Sequence, residues 1–165
     1  MDGWINMMRS PGRTWSDQVG APGKTSGNST AWYGSGDALG VSPYRLTAGF
    51  MSQAYKERFG IDHKGVDYGA KTGTSIKSPV DGVVEKVGYD NVSGNYVVVR
   101  DDHGRSHLFA HMNTKSVTKG ARVSAGAVLG TVGSTGRSTG PHVHYGVRQD
   151  NKWINPKPWA QVCIS

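Results

Sequence analysis

The sequence predicts a mainly β domain of antiparallel strands with little helix, and three observations lead to this prediction. The chain has 165 residues, a length suited to one domain with its own core. It contains 24 glycines and only 36% hydrophobic residues, a turn-rich composition with little material for long helices. From residue 65 onward, short β-branched or alternating segments follow one another, separated by Gly, Asp and Asn. This pattern favours an antiparallel sheet, sandwich or barrel.

The expected elements follow in chain order. A short helical periodicity covers residues 47–59, with apolar side chains that include Phe50, Tyr55 and Phe59. Six strands are predicted after it, at residues 75–78, 82–87, 95–100, 106–111, 127–132 and 142–147. Pairs such as Asp81-Gly82 and Ser93-Gly94 indicate the turns between them.

Residues 1–40 form a segment of different character. They contain eight Gly, five Ser and two Pro, and their three basic residues balance three acidic ones. We therefore expect an N-terminal arm or linker at 1–40 and a folded domain at 41–165. Aromatic residues such as Trp15 and Trp32 leave open whether the arm packs on that domain.

The charge of the chain indicates an anionic partner. Nineteen Lys and Arg face twelve Asp and Glu, a net charge of +7, all of it carried by residues 41–165. Because the charge is dispersed and no nucleic-acid motif is present, we expect no nucleic acid as a partner. No apolar stretch approaches the ~18 residues of a membrane span, and no Sec signal is recognisable near the start.

The cysteine and histidine content restricts any metal site. Cys163 is the only cysteine, so an intrachain disulfide and a cysteine-ligated metal are both excluded. A metal would have to bind to His and carboxylate side chains. His142 and His144 flank Val143, and on a strand both imidazoles would project from the same face. Two surface histidines on an edge strand would give the same pattern.

Two further patterns are individually weak. His63 and Asp67 are four residues apart, and Gly65 between them favours a strand, on which both would again share a face. A solvated turn is the alternative. His111 lies within the apolar run 108–112, where a histidine is more often structural than catalytic. We expect His103 and His107 to be structural or exposed, and Asp101 to lie at a solvated hairpin end.

Taken in order, these segments resemble the lysostaphin-type, LytM-like zinc metallopeptidases that cut bacterial peptidoglycan. The resemblance covers about residues 42–160 and is carried by HKGVD at 63–67, PVDGVV at 79–84, FAHM at 109–112, GSTG at 133–136 and STGPHVH at 138–144. It implies an antiparallel sheet of the duplicated hybrid motif (barrel-sandwich) kind. It also implies Zn²⁺ as the cofactor.

The resemblance further implies the roles of the site residues. His63, Asp67 and His144 would bind the zinc, and His111 and His142 would be the catalytic residues. Tyr55 is an additional candidate, as a donor to the oxyanion. Two His and one carboxylate leave a fourth tetrahedral position open, which is the composition of a catalytic zinc site. No H-E-x-x-H pattern occurs, so a glutamate base of that kind is excluded.

The expected activity is hydrolysis of peptide bonds in peptidoglycan cross-links, outside the cytoplasm, by a monomer. Anionic wall polymers would attract the basic domain. Without a recognisable leader, the chain would be a phage lysis or tail protein, with bacteriolytic and antimicrobial action, or a fragment of an exported hydrolase. The alternative is a non-catalytic or regulatory wall-binding module of the same fold.

Overall fold

The computed structural model of the chain describes residues 43–163. It contains ten strands and two short helices within that range. The elements are β1 (Arg45–Ala48), α1 (Gln53–Phe59), β2 (Val66–Gly69), β3 (Ser75–Lys77), β4 (Gly82–Asp90), β5 (Gly94–Asp101), β6 (Ser106–Lys115), β7 (Arg122–Val123), β8 (Val128–Val132), β9 (His142–Gln149), β10 (Lys152–Ile154) and α2 (Lys157–Cys163).

The strands form an antiparallel sheet, as the sequence predicts. Its main path runs β1-β2-β9-β6-β5-β4-β7, while β10 pairs with the end of β9 and β8 pairs with both β3 and the end of β6. All six predicted strands are present. The strand β2 was expected only from the strand favoured for residues 63–67. Four elements were not predicted: β1, β7, β10 and α2. Each of these is short or carries too little alternation to be recognised.

The predicted helix is correct at its end and wrong at its start. Thr47 and Ala48 belong to β1, and the helix begins only at Gln53. Ser52 caps it, because its Oγ accepts a hydrogen bond from the backbone N–H of Tyr55 at 3.2 Å. Gly60 ends it in the left-handed conformation, with φ 78°.

The core lies on one face of the central sheet. Val143, Tyr145 and Val147 of β9 point into it, together with Val66 and Tyr68 of β2. By alternation, the residues between them point to the opposite face. A smaller apolar cluster, Val98, Leu108 and Ala110, contacts the side chain of Trp153. Among residues 43–163, no helix has both the length and the apolar character needed to cross a bilayer.

Candidate metal centre

Asp67 and His144 face each other across neighbouring strands. In the β2–β9 register they are directly opposite, and both point away from the core. The Nδ1 of His144 lies 2.7 Å from Oδ1 of Asp67. Both residues are 1% exposed. The sheet therefore brings together two potential ligands that are 77 positions apart in the sequence.

His63 reaches the same carboxylate from a loop. The strand β2 begins only at Val66, so the prediction that His63 and Asp67 share a strand face is wrong. The loop is instead attached to Gly49 and Met51: His63 Nδ1 donates to the carbonyl of Gly49 at 2.8 Å, and Met51 N–H donates to the carbonyl of His63 at 2.7 Å. Since a carbonyl only accepts, the Nδ1 carries the proton. The Nε2 lies 3.3 Å from Asp67 Oδ1.

These three residues fit a zinc ion. Each offers one ligand atom, all of these atoms lie within 4.8 Å of one another, and all three side chains are buried. Two imidazoles and one carboxylate are a donor set that zinc accepts. Tetrahedral ligands about 2.0 Å from an ion are about 3.3 Å apart, which is the separation of His63 Nε2 and Asp67 Oδ1.

Gly65 leaves the space that the His144 ring occupies. A Cβ at position 65 would lie 2.7 Å from Nε2 of His144 and 2.6 Å from the carbonyl oxygen of Tyr145. A Cβ atom essentially never comes so close to another heavy atom, so any side chain at position 65 would force the ring or the backbone to shift. The glycine of the motif therefore allows the His144 ring to occupy its place in the metal centre.

Tyr55 packs against the centre from α1. Its ring stacks on the ring of His63, with centroids 4.2 Å apart and an angle of 21° between the planes, and its side chain is buried. This contact fixes one face of the His63 ring. The role of Tyr55 as an oxyanion donor stays a prediction.

His111 lies where β6 changes partner. This strand pairs with β9 up to Ala110 and with β8 from Met112. One extra residue of β6 forms a bulge opposite β5, and His111 takes the left-handed conformation there, with φ 64°. Its Nδ1 donates to the carbonyl of Thr135 at 2.8 Å. The bulge therefore redirects one side chain of an otherwise regular strand.

His142 lies beside His111, on the same face of β9 as His144. The ring centroids of His111 and His142 are 4.8 Å apart, and those of His111 and His144 are 6.5 Å apart. The Nδ1 of His142 donates to the carbonyl of Gly140 at 2.8 Å, with Ser138 Oγ 3.2 Å away. All five histidine and aspartate residues singled out from the sequence are thus brought together.

Sequence reasoning assigned no role to the loop that orients these two rings. Thr135 accepts from His111 and also donates its hydroxyl to the carbonyl of Met112 at 2.7 Å. Ser138 and Gly140 contact His142. These three residues could have been found from the sequence, because they belong to the GSTG and STGPHVH segments. Their function depends on backbone carbonyls, which a sequence motif does not display.

A fifth buried histidine, His107, lies in the core, away from this centre. His107 Nε2 donates to Asp101 Oδ2 at 2.9 Å, and its Nδ1 lies 2.7 Å from the hydroxyl of Tyr145. His107 is structural, as expected, but Asp101 is buried, and its prediction as a solvated hairpin end is wrong. Its carboxylate is needed as the acceptor of this network, which includes the Arg105 side chain at 2.7 Å.

The network shifts two pKa values. Burial alone would raise the pKa of Asp101, but hydrogen bonds from His107, Arg105 and the His103 backbone hold it far below its usual range. Burial lowers the pKa of His107, and the hydrogen bond to Asp101 opposes that shift in part. We therefore expect a charged Asp101 beside a neutral His107.

Comparison with known proteins identifies the family. The family model described as "Peptidase family M23" matches residues 61–156, more than half of the chain. The chain belongs to peptidase family M23. The matched range contains His63, Asp67, His111, His142 and His144 of the M23 domain.

Relatives and solved structures agree with this assignment. The DD-carboxypeptidase/endopeptidase Mpg of Neisseria meningitidis is 44% identical over 94 residues, which are 57% of this chain and 22% of that protein. The catalytic domain of lysostaphin from Staphylococcus simulans has a TM-score of 0.61 at 26% identity, covering 70% of this chain and 90% of that one.

A zinc containing peptidase from Vibrio cholerae has a TM-score of 0.64 at 28% identity, covering 73% of this chain and 37% of that one. These neighbours confirm the lysostaphin-like antiparallel fold of the M23 domain. The chain spans about a fifth of the length of Mpg and of a second curated relative, the peptidoglycan DD-endopeptidase ShyC of Vibrio cholerae.

Proposed function

We propose that this chain is a zinc-dependent endopeptidase that hydrolyses peptide bonds in bacterial peptidoglycan cross-links. One observation carries the proposal: the buried cluster of His63, Asp67 and His144 has two further imidazoles, His111 and His142, beside it. A structural zinc site would use four protein ligands, whereas three ligands with separate proton-transfer groups nearby suit hydrolysis.

The five side chains divide into two roles in this proposal. His63, Asp67 and His144 hold the zinc, which when bound lowers the pKa of a water ligand and polarises the scissile carbonyl. His111 and His142 donate from Nδ1 to backbone carbonyls, so each ring exchanges protons with the substrate at Nε2. They take the proton of the attacking water, stabilise the developing oxyanion and protonate the leaving amine.

The substrate class is supported by the relatives and by charge. Mpg is named as a DD-carboxypeptidase/endopeptidase, and lysostaphin as an antimicrobial peptidase. The net charge of +7 would concentrate the chain on a wall that carries anionic polymers. We accordingly propose action outside the cytoplasm, at the wall, with lysis of bacteria as the outcome. A non-catalytic wall-binding module would not need His111 and His142 in these orientations.

The test distinguishes the roles of His142 and His144, which lie on the same strand, β9. The His144→Ala variant should lose zinc and activity together, because a ligand is removed. The His142→Ala variant should keep about one zinc per chain while wall hydrolysis falls by at least ~10², the lower limit for a general acid or base. His111→Ala should behave like His142→Ala. Zinc content and release of wall peptides are measured on the same preparations.

The exposed His103, in the β5–β6 turn, provides the matched control: His103→Ala should keep both zinc and activity. Less than a tenth of an equivalent of zinc in the supplemented wild type would refute the metal site. Full zinc without any hydrolysis of several purified walls would favour the non-catalytic module. Loss of metal in His142→Ala and its retention in His144→Ala would reverse the two roles.

A further inference from the structure

A pocket lies beside the metal centre and takes no part in the chemistry described above. Its volume is about 430 Å³, and we call it the two-lysine pocket. Its walls include Phe50, Met51, Lys64, Asn151, Lys152 and Trp153. The first three come from the segments around the ligand His63, and the others from the β9–β10 hairpin.

Residues that line the pocket contact residues of the metal centre or neighbour them in sequence. Met51, in its wall, donates its backbone N–H to the carbonyl of His63, and Lys64 follows His63 directly. On the other side, Trp153 is opposite Arg148, which alternation places on the same face of β9 as His144. Trp153 also packs against the cluster containing Ala110, the residue directly opposite His144. The pocket therefore lies on the face of the sheet that carries the site.

The charge of the pocket is positive. Lys64 and Lys152 are exposed, and neither forms an ion pair with another residue of the described range 43–163. Asp62 also lines the pocket, but its carboxylate lies 3.2 Å from the ammonium of Lys56 outside it. Two ammonium groups are thus left to attract an anionic ligand.

The walls are apolar and one of them is strained. Phe50, Met51 and Trp153 supply a surface for methylene groups, and Met51 is 49% exposed. Met51 also has φ 55°, a left-handed conformation that is strained for a non-glycine residue. Such strain concentrates at ligand sites. An apolar wall with a few convergent polar groups is the usual composition of a ligand pocket.

We infer that the two-lysine pocket binds a carboxylate-bearing residue of the peptide substrate, and so selects which wall peptides are presented to the metal centre. This inference rests on the proposed function. Lys64 and Lys152 would bind the carboxylate, while Met51 and Trp153 contact the aliphatic part of the same residue. A carboxamide of the same shape lacks the charge and would bind more weakly.

The test compares matched peptides. A synthetic cross-linked wall peptide is prepared with each of its carboxylates replaced in turn by a carboxamide. Binding is titrated calorimetrically into the zinc-supplemented full chain carrying His142→Ala, so that hydrolysis does not obscure it. One replacement should weaken binding by about tenfold, as expected for a lost charge-assisted contact.

Lys64→Met and Lys152→Met in that background should each reduce this preference towards a ratio of one. Lys119→Met, an exposed lysine in the loop between β6 and β7, should leave the ratio unchanged. The zinc content of every variant is measured. If Lys64→Met loses zinc, the binding preference of Lys152→Met alone tests the inference, because Lys64 directly follows the ligand His63. Equal binding of all peptides, or a preference that survives Lys152→Met, would overturn the inference. If wild type hydrolyses none of the peptides, only the proposed function is refuted. The affinity ratio of carboxylate to carboxamide peptide is measured without hydrolysis and tests the pocket independently.

Discussion

At the scale of single residues, the absence of a side chain at Gly65 decides whether His144 can occupy its position. The histidine ring fills the space in which any Cβ at position 65 would stand, 2.7 Å from Nε2. The same Cβ would also lie 2.6 Å from a main-chain atom, the carbonyl oxygen of Tyr145. Neither neighbour is the flexible end of a long side chain, so a substitution must move the ligand.

We predict that Gly65→Ala lowers zinc affinity by about tenfold or more, in the range found when residues supporting a ligand are changed. The matched control is Gly140→Ala, because a Cβ at position 140 meets no atom within 4 Å. Competition with a zinc-binding dye measures both variants. Wild-type affinity in Gly65→Ala would show that the ring can move without loss of the metal.

At the scale of elements, the loop between β8 and β9 joins the proposed catalytic histidines to the sheet. The Thr135 hydroxyl accepts from Asn95 N–H at 3.0 Å and donates to the carbonyl of Met112 at 2.7 Å. Its own carbonyl accepts from His111. Gly94 and Gly136 permit this approach, since a Cβ at either would collide with backbone atoms. One residue therefore connects β5, β6 and the ring of His111.

We predict that Thr135→Val lowers the turnover of wall peptide by about tenfold, a part of the ~10² to 10⁴ that a proton-transferring group contributes. Valine keeps the shape of threonine but loses both hydroxyl hydrogen bonds, so the carbonyl that orients His111 is less well held. Zinc content should not change. Thr135→Ser restores the hydroxyl and should recover most of the activity, and equal losses in the two variants would argue against this role.

The β5–β6 hairpin contributes Asp101 and His107, and β9 contributes Tyr145, to a buried network that should make stability depend on pH. Burial lowers the pKa of His107, so the folded state resists a proton that the unfolded state takes up near its pKa of ~6.5. Stability from His107 is therefore present above that pH and lost below it. Asp101, whose folded pKa is depressed, adds a loss below ~3.9.

We predict that wild type is more stable than His107→Gln at pH 7.5, and that this difference shrinks at pH 5.5. Glutamine stays neutral, and the contributions of the other histidines cancel in the comparison. Urea unfolding at the two pH values measures it. His103→Gln is the control, because the exposed His103 ring forms neither of the His107 contacts. A difference independent of pH would mean that His107 is protonated equally in both states.

At the scale of the whole molecule, the division between arm and domain remains a proposal. Residues 1–40 lie outside the described residues, whereas every proposed site residue lies within 43–163. The fold pairs each of the ten strands within that range. A domain beginning near residue 41 would therefore contain all ten strands described within 43–163 and every proposed site residue.

We predict that deletion of residues 1–40 leaves zinc binding and wall hydrolysis largely intact. The arm carries no net charge and none of the motifs, so neither the metal centre nor attraction to the wall should suffer. The truncated and full chains are compared by zinc content, solubility and rate. An insoluble product, or one without zinc, would place the arm within the domain.

Local sequence was sufficient for the strands and for the choice of candidate ligands. The alternation in 142–147 predicts that His142 and His144 share a face, and the structure has them so, because side chains on a strand alternate regardless of its neighbours. The single cysteine limited any metal to His and carboxylate donors. The resemblance of five short segments to one family supplied the order in which those donors occur.

Tertiary structure alone decided the positions that depend on contacts between distant segments. His63 is held by Gly49 and Met51 and not by strand pairing, and Asp101 is buried because His107 and Tyr145 lie behind it. The bulge at His111 arises where β6 exchanges β9 for β8, and no local pattern encodes a change of partner. In each case the partners are backbone carbonyls or residues far along the chain, and only the assembled sheet brings them within hydrogen-bonding distance.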